Sequence, residues 1–184
     1  MRRRDGGSPV ATIRTLISAE EIEAKLTEIG ARITEDYRDK DLLVVGVLKG
    51  AFMVMADLSR HIGLNVEFDF MAVSSYGAST QTSGVVRILK DLDQEIADRH
   101  VLIVEDIIDS GLTLNYLMKS LRVRKPASIE IASLLVKRGI QRVPIEVKYP
   151  CFEIGPEFVI GYGLDYAGKY RNLPYVGVLE GELD

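Results

Sequence analysis

A short segment that combines acidic residues with hydroxyl side chains has the clearest potential for chemistry in this sequence. It contains, in chain order, Glu105, Asp106, Asp109, Ser110, Gly111, Leu112 and Thr113. The backbone N–H groups and hydroxyls of residues 110–113, at the start of a predicted helix, have the chemistry of a cradle for a phosphate group. The two consecutive acids that precede them can accept hydrogen bonds from a sugar diol or bind a divalent cation.

A simpler interpretation of this segment is local structure, with acids that cap the helix and hydroxyls that stabilise a turn. However, the three acids fall within residues 105–109, at the end of a predicted buried strand. Three acids so close together at the end of a buried strand repel one another, and helix capping alone would not offset this electrostatic cost. The spacing therefore favours a binding or catalytic role.

The elements around the acidic segment predict where it lies in the fold. Residues 101–104 are apolar and predict a buried strand, and a helix follows the segment to about residue 123. In open α/β sheets, ligands bind beyond the carboxyl ends of the strands. We therefore expect the segment to lie at a ligand site.

Apolar patterning predicts alternating helices and strands along most of the chain. Ser18 and Glu21 form a capping box before a helix that runs to about residue 37, and Leu42–Leu48 predicts a strand buried on both faces. Further strands are predicted at residues 66–73, 85–89 and 128–136, with a long loop at residues 74–84 that is typical of a lid. A helix over residues 50–61 has a predicted apolar face of Phe52, Met55, Ala56 and Leu58.

This order of elements indicates an α/β fold in which helices flank a mainly parallel, twisted sheet. The segment after Pro144 differs, because prolines and glycines interrupt its short strand-like pieces. It predicts a small subdomain beside the sheet.

The composition argues against several classes of protein. The chain has 184 residues, 47% of them hydrophobic, and we expect one domain over residues 13–184 after a flexible tail at residues 1–12. The net charge of −4 argues against broad nucleic-acid affinity, and the longest apolar run is too short to span a membrane. The single cysteine, Cys151, has no histidine neighbour and predicts a buried structural thiol in a cytoplasmic protein.

Residues 104–111 resemble the phosphoribosyl-pyrophosphate motif of type I phosphoribosyltransferases, in the form typical of the hypoxanthine–guanine branch. Other segments match in the same order: the pyrophosphate loop at 48–50, the mobile loop at Ser75 and Tyr76, the base-recognition lysine at Lys137, the purine flap at 158–166 and the late arginine at Arg171. The resemblance covers residues 13–180. It implies the type I phosphoribosyltransferase fold, with a small hood subdomain built from the C-terminal and N-terminal segments.

The resemblance also implies roles for the residues that would bind the sugar and its phosphates. The ribose hydroxyls would be bound by Glu105 and Asp106, and the 5′-phosphate by Ser110, Gly111, Leu112 and Thr113. The pyrophosphate would be bound by Lys49, Gly50 and Arg171. A Mg²⁺ ion would be bound by Glu105, Asp106 and Asp165.

The remaining implied roles concern the purine. Asp109 would act as general acid/base near the purine N7, and Lys137 would donate to the 6-oxo group. The other purine contacts would be Ile107, Phe158, Val159 and Asp165. Without the resemblance, Lys137 and Arg138 read equally well as a solvated basic pair, and Phe158 and Val159 as ordinary core. Residues 138–142 depart from many relatives, and we assign them no role in base selection.

The resemblance implies a purine salvage enzyme that transfers the phosphoribosyl group of 5-phosphoribosyl-1-pyrophosphate (PRPP) to hypoxanthine or guanine. The products would be IMP or GMP and pyrophosphate, with Mg²⁺ as cofactor and a homodimer or homotetramer as the assembly. It also implies a cis peptide bond between Leu48 and Lys49. Two alternatives remain at this point: a PRPP-sensing regulator that binds nucleic acid, and a phosphoribosyltransferase that prefers xanthine.

Overall fold

Strands and helices alternate through most of the chain, as the sequence predicts. A computed structural model describes residues 12–75 and 86–180. Its elements, in chain order, are β1 (Thr12–Ile17), α1 (Ala19–Asp36), β2 (Leu42–Leu48), α2 (Phe52–Arg60), β3 (Glu67–Ser75), β4 (Val86–Lys90), β5 (His100–Ile108), α3 (Leu112–Arg122), β6 (Ser128–Lys137), β7 (Tyr149–Ile154), β8 (Val159–Ile160) and β9 (Val176–Glu180). The predicted tail lies outside the described residues except for Thr12.

The larger sheet has six strands in the order β4-β3-β2-β5-β6-β7. All neighbouring pairs are parallel except β3 and β4, which confirms the predicted mainly parallel α/β architecture. Strand β2 is buried on both faces: Val44 packs in the core with α1 and α2, and Val45 packs in the core with α3. Parallel strands covered on both faces read as continuous apolar runs, which is why the pattern identified this strand correctly.

The first helix also forms as predicted. Ser18 accepts a hydrogen bond from the Glu21 backbone and the Glu21 side chain accepts one from the Ser18 backbone, which completes the capping box. No helix among the described residues is long and apolar enough to cross a membrane.

The predicted apolar face of α2 is partly wrong. The residues it buries are Val54, Met55 and Leu58, while Phe52 and Ala56 lie exposed. Apolar residues on this helix cover two adjoining faces, and spacing alone does not say which of the two meets the sheet.

The prediction for the segment after Pro144 is also partly wrong. Strand β7 joins the larger sheet at its edge, parallel to β6, despite Pro150 at its second position. Proline lacks a backbone N–H and is tolerated on an edge strand, where one side of the backbone needs no partner. The predicted hood is a separate three-stranded sheet in the order β1-β9-β8. Of the described strands after Pro144, β8 and β9 belong to it and β7 does not. The sequence did not predict β1.

Candidate active site

The acidic segment lies at the carboxyl end of the larger sheet, although β5 is longer than predicted and continues to Ile108. Glu105 and Asp106 are therefore strand residues, and residues 109–113, which we call the phosphate loop, lead from β5 into the first turn of α3. Helix α3 has Gly111 at its N-cap with φ of 77°, and no side chain caps it. The alternative that the acids cap this helix is therefore wrong.

The phosphate loop surrounds a small cavity at the N-terminus of α3. Its volume is about 110 Å³. The lining residues are Glu105, Ile107, Ile108, Asp109, Ser110, Gly111, Thr113 and Leu114. Within the loop, the Leu112 N–H donates to the Ser110 hydroxyl at 3.4 Å. The cavity has the hydroxyls and helix dipole that favour an anion.

Glu105 is buried, with only 8% of its surface exposed. Burial, and secondarily the neighbouring Asp106 carboxylate, raise its pKa well above the ordinary glutamate value. No described residue donates a hydrogen bond to this carboxylate. Strongly perturbed and unpaired buried acids are typical of functional sites, because a ligand or cation supplies the missing partner.

Asp106 faces the opposite side of β5, as alternation along a strand requires. Its Oδ2 atom would lie 1.5 Å from a Cβ built on Gly50, so the two residues are in direct contact because position 50 has no side chain. Burial raises the pKa of Asp106, Asp165 adds to the increase, and Arg171 opposes it. The predicted ribose and pyrophosphate residues therefore meet at this point.

Arg171 and Asp165 approach from the hood side as an ion pair. Arg171 Nη2 lies 2.6 Å from Asp165 Oδ1, and Arg171 Nη1 donates to the Gly163 carbonyl at 2.5 Å. Gly163, with φ of 98°, packs so closely that an added Cβ would lie 2.1 Å from the Gly50 carbonyl oxygen. This contact between hood and pyrophosphate loop was not predicted. In the sequence, the contact is indicated only by the presence of glycine at position 163.

The peptide bond between Leu48 and Lys49 is cis, which confirms that prediction. Lys49 is exposed at the end of β2, and Gly50 is buried beside it.

Lys137 is the last residue of β6 and is only 8% exposed. Its Nζ lies 3.8 Å from Asp109 Oδ2, beside the phosphate loop. The interpretation of Lys137 and Arg138 as a solvated pair is therefore wrong for Lys137. It holds for Arg138, which is exposed and forms an ion pair with Glu153.

The predicted purine residues differ in their surroundings. Phe158 is 56% exposed, and its ring meets Tyr166 edge-to-face at a centroid distance of 6.0 Å. Val159 is buried in the core, and Ile107 is half-buried against that same core. The ordinary-core interpretation therefore fits Val159 and not Phe158, whose free ring face can stack on a ligand.

Two predicted residues belong to the mobile loop. Ser75 ends β3, where its backbone pairs with Val86. Tyr76 and the rest of the predicted lid, up to residue 84, lie outside the described residues.

Cys151 is half-buried, and burial raises the pKa of its thiol to about 12. The thiol is therefore protonated and unreactive at neutral pH, which agrees with the predicted structural role, although the predicted full burial is not observed.

The carboxylates at the site suit a hard cation such as Mg²⁺. Burial leaves Glu105 and Asp106 with raised pKa values, and a cation would stabilise their charged forms. No group of three or more potential protein ligands is assembled among the described residues. Such a site fits Mg²⁺, which is bound through one or two carboxylates together with substrate phosphates and water.

Known proteins match this chain in sequence and fold. A family model described as phosphoribosyl transferase domain matches residues 15–167. The hypoxanthine-guanine phosphoribosyltransferase of Bacillus subtilis is 54% identical over 167 residues, covering 91% of this chain and 93% of that protein. The enzyme of the same name from Mycobacterium avium is 50% identical over 171 residues, covering 90% and 84%.

Solved structures agree with these relatives. A crystal structure of a hypoxanthine phosphoribosyltransferase from Staphylococcus aureus has a TM-score of 0.88 and 46% identity, and the match covers 91% of each chain. The fold, the phosphate loop and the relatives all agree with the resemblance read from the motif at residues 104–111. The chain therefore belongs to the phosphoribosyltransferase family, among the relatives named hypoxanthine-guanine phosphoribosyltransferase.

Proposed function

We propose that this protein transfers the 5-phosphoribosyl group of PRPP to hypoxanthine or guanine in purine salvage, giving IMP or GMP and pyrophosphate. One observation carries the proposal: the buried Lys137 lies 3.8 Å from Asp109, directly beside the phosphate loop. A 6-oxopurine bound to the lysine would have its ring at Asp109 and its new glycosidic bond near the sugar site. The names of the relatives support the same reaction.

Substrate binding in this proposal uses both sides of β5. Residues 110–113 bind the 5′-phosphate in the cavity that Glu105 also lines, and Glu105 and Asp106 accept hydrogen bonds from the ribose hydroxyls. Lys49, Gly50 and Arg171 bind the pyrophosphate on the side that Asp106 faces. Because these groups are fixed before the reaction, they position the sugar and stabilise the charge of the departing pyrophosphate.

Purine recognition uses the ends of β6 and the hood. Lys137 donates to the 6-oxo oxygen, Phe158 stacks on the ring, and Val159 presents backbone groups to its edge. Ile107 packs against the opposite side of the ring. Asp109 exchanges a proton with the purine N7 as the bond to the sugar forms.

Mg²⁺ fits this site, where one or two of the carboxylates of Glu105, Asp106 and Asp165 would hold it together with PRPP and water. When bound, it would neutralise negative charge on the pyrophosphate. Asp165 pairs with Arg171 in the described structure. Arg171 would therefore have to release or share the Asp165 carboxylate when Mg²⁺ binds.

Discrimination between 6-oxo and 6-amino purines tests the proposed function. Purified protein with Mg²⁺ and PRPP should convert hypoxanthine or guanine to nucleotide and convert adenine poorly. An ammonium group only donates hydrogen bonds, so Lys137 matches a 6-oxo acceptor and mismatches the 6-amino donor of adenine. The measurement is the steady-state rate with hypoxanthine, guanine, xanthine and adenine under one set of conditions.

Each outcome of that assay has a clear meaning. Adenine turnover equal to that of hypoxanthine would refute the role of Lys137. Turnover of xanthine alone would replace the proposed substrate with a related one, and tight RNA binding without any turnover would favour a regulator. Loss of an exposed lysine elsewhere should not matter, so Lys125→Ala should leave all four rates unaltered.

We further propose that residues 13–184 form one domain and that the protein assembles as a homodimer or homotetramer. An apolar groove of about 330 Å³ supports association of two copies. It is lined by Phe52, Met55, Ala56, Ser59, Phe68 and Phe70, with the three phenylalanines 36–44% exposed. Clustered exposed aromatic residues are typical of the buried centre of an interface.

A charge placed in this groove should therefore weaken the assembly. We expect Phe70→Glu to shift the mass measured by light scattering toward the monomer, because an unpaired buried carboxylate is costly. The matched control is Val123→Glu, which changes a residue that is 80% exposed after α3 and should leave the mass unchanged. An unaltered mass in Phe70→Glu would exclude this groove from the interface.

A further inference from the structure

The connection between β6 and β7, residues 138–148, has no role in the mechanism above, yet it touches both ends of the proposed substrate site. The backbone N–H of Arg142 donates a 2.9 Å hydrogen bond to the carbonyl of Ser110 in the phosphate loop. The side-chain amide of Gln141 donates to the carbonyl of Lys137. One surface segment thus binds the backbone at the phosphate end and at the purine end.

Apolar side chains of the same connection pack on the phosphate loop. A Cβ built on Gly111 would lie 2.9 Å from Ile145 Cγ1 and 3.3 Å from Val143 Cγ2. Because Gly111 has no side chain, these two residues rest directly on the loop backbone. Their packing leaves no room for the loop backbone to shift toward them.

Apolar residues of the connection also pack on the body of the protein, where Ile145 and Val147 contact the core that α3 shares with the larger sheet. An open groove of about 380 Å³ is lined by the connection and by Ile108 and Val136 from neighbouring strands. The connection is thus held by the core contacts of Ile145 and Val147, by the contacts at Gly111 and by the hydrogen bonds at Ser110 and Lys137.

We propose that the β6–β7 connection is a brace that fixes the phosphate loop relative to Lys137, with Gln141 and Val143 as positioning residues. This inference rests on the proposed function, because the 5′-phosphate and the purine are the two ends of one nucleotide. Both ends bind together only when the two subsites keep a fixed separation, and small displacements of such groups are costly. Neither positioning residue needs to touch the substrate.

Two substitutions test the brace. Gln141→Met keeps the length of the side chain and removes its donor to Lys137, and Val143→Ala removes a contact with Gly111. For each variant we expect the KM for PRPP and the Kd for IMP to rise about fivefold or more, as for residues that act through a contiguous network. The kcat and the melting temperature should change little.

The control is Arg138→Met in the same connection. The Arg138 side chain is exposed and pairs with Glu153, away from the phosphate loop, so the KM and Kd values should match those of the original protein. Any change shared by all three variants would indicate a general effect of altering this segment and would overturn the brace.

The remaining outcomes are also decisive. Unchanged KM and Kd values in both Gln141→Met and Val143→Ala would overturn the brace. A kcat that falls only as the folded fraction falls, with KM constant, would also overturn it, because the loss would then come from unfolding. If the unaltered protein bound no IMP and turned over no purine, the proposed function would fail instead. Calorimetry with IMP on the unaltered protein separates these two failures.

Discussion

Replacement of Asp109 by asparagine should lower kcat by about 10²–10⁴-fold while PRPP binding stays nearly unchanged. The substitution keeps the size of the side chain and removes its capacity to exchange a proton. Asp109 is exposed in the phosphate loop and lies 3.8 Å from Lys137 Nζ, where the purine is proposed to bind. The measurement is steady-state kinetics with hypoxanthine, together with the Kd for PRPP.

Asp98→Asn is a suitable control for this prediction. Asp98 is also exposed, in a connection that precedes β5, and no role at the site is proposed for it. Its kcat should match that of the original protein. If Asp109→Asn were also almost fully active, Asp109 would shape the loop and would not exchange a proton.

The second large effect is expected at Gly50. An alanine Cβ at this position would lie 1.5 Å from Asp106 Oδ2 and 2.3 Å from its Cγ, so the Asp106 side chain must move. Because only a side chain has to give way, the fold should persist. The displaced carboxylate should lower kcat/KM for PRPP by about 100-fold, a loss typical of a misplaced binding group.

Gly63→Ala controls for the general effect of adding a methyl group. The nearest atom to its Cβ would be Thr34 Cγ2 at 3.3 Å, which requires only a slight adjustment. We expect its kcat/KM to be unchanged and both variants to melt near the original temperature. Full activity of Gly50→Ala would show that the position of Asp106 against Gly50 is not needed for the reaction.

Local sequence patterns predicted the elements whose structure depends on nearby residues. The capping box at Ser18 and Glu21 starts α1 because both partners lie within one helical turn. The run Leu42–Leu48 forms β2 at the predicted bounds because a strand covered on both faces requires apolar residues throughout. The phosphate loop also appears where the acids and hydroxyls indicated, between a buried strand and a helix.

Predictions were wrong where long-range contacts decide. The sequence of α2 contains two possible apolar faces, and the sheet buries the one with Val54, leaving Phe52 exposed. Strand β7 contains Pro150 and resembles a flap strand, but pairing with β6 adds it to the larger sheet. In both cases the deciding partner is distant in sequence, so no local period reveals it.

The sequence by itself determined the family, most of the order of elements and the residue types at the site, because each of these is written in short motifs or local patterns. Only the tertiary structure decided how those residues are arranged. It directs Glu105 and Asp106 to opposite sides of β5, and it buries Glu105 and half-buries Asp106, which raises their pKa values. It also brings Gly163 against Gly50 and Arg142 against Ser110. These properties depend on chain segments that are far apart in sequence and meet only when the sheet and hood assemble.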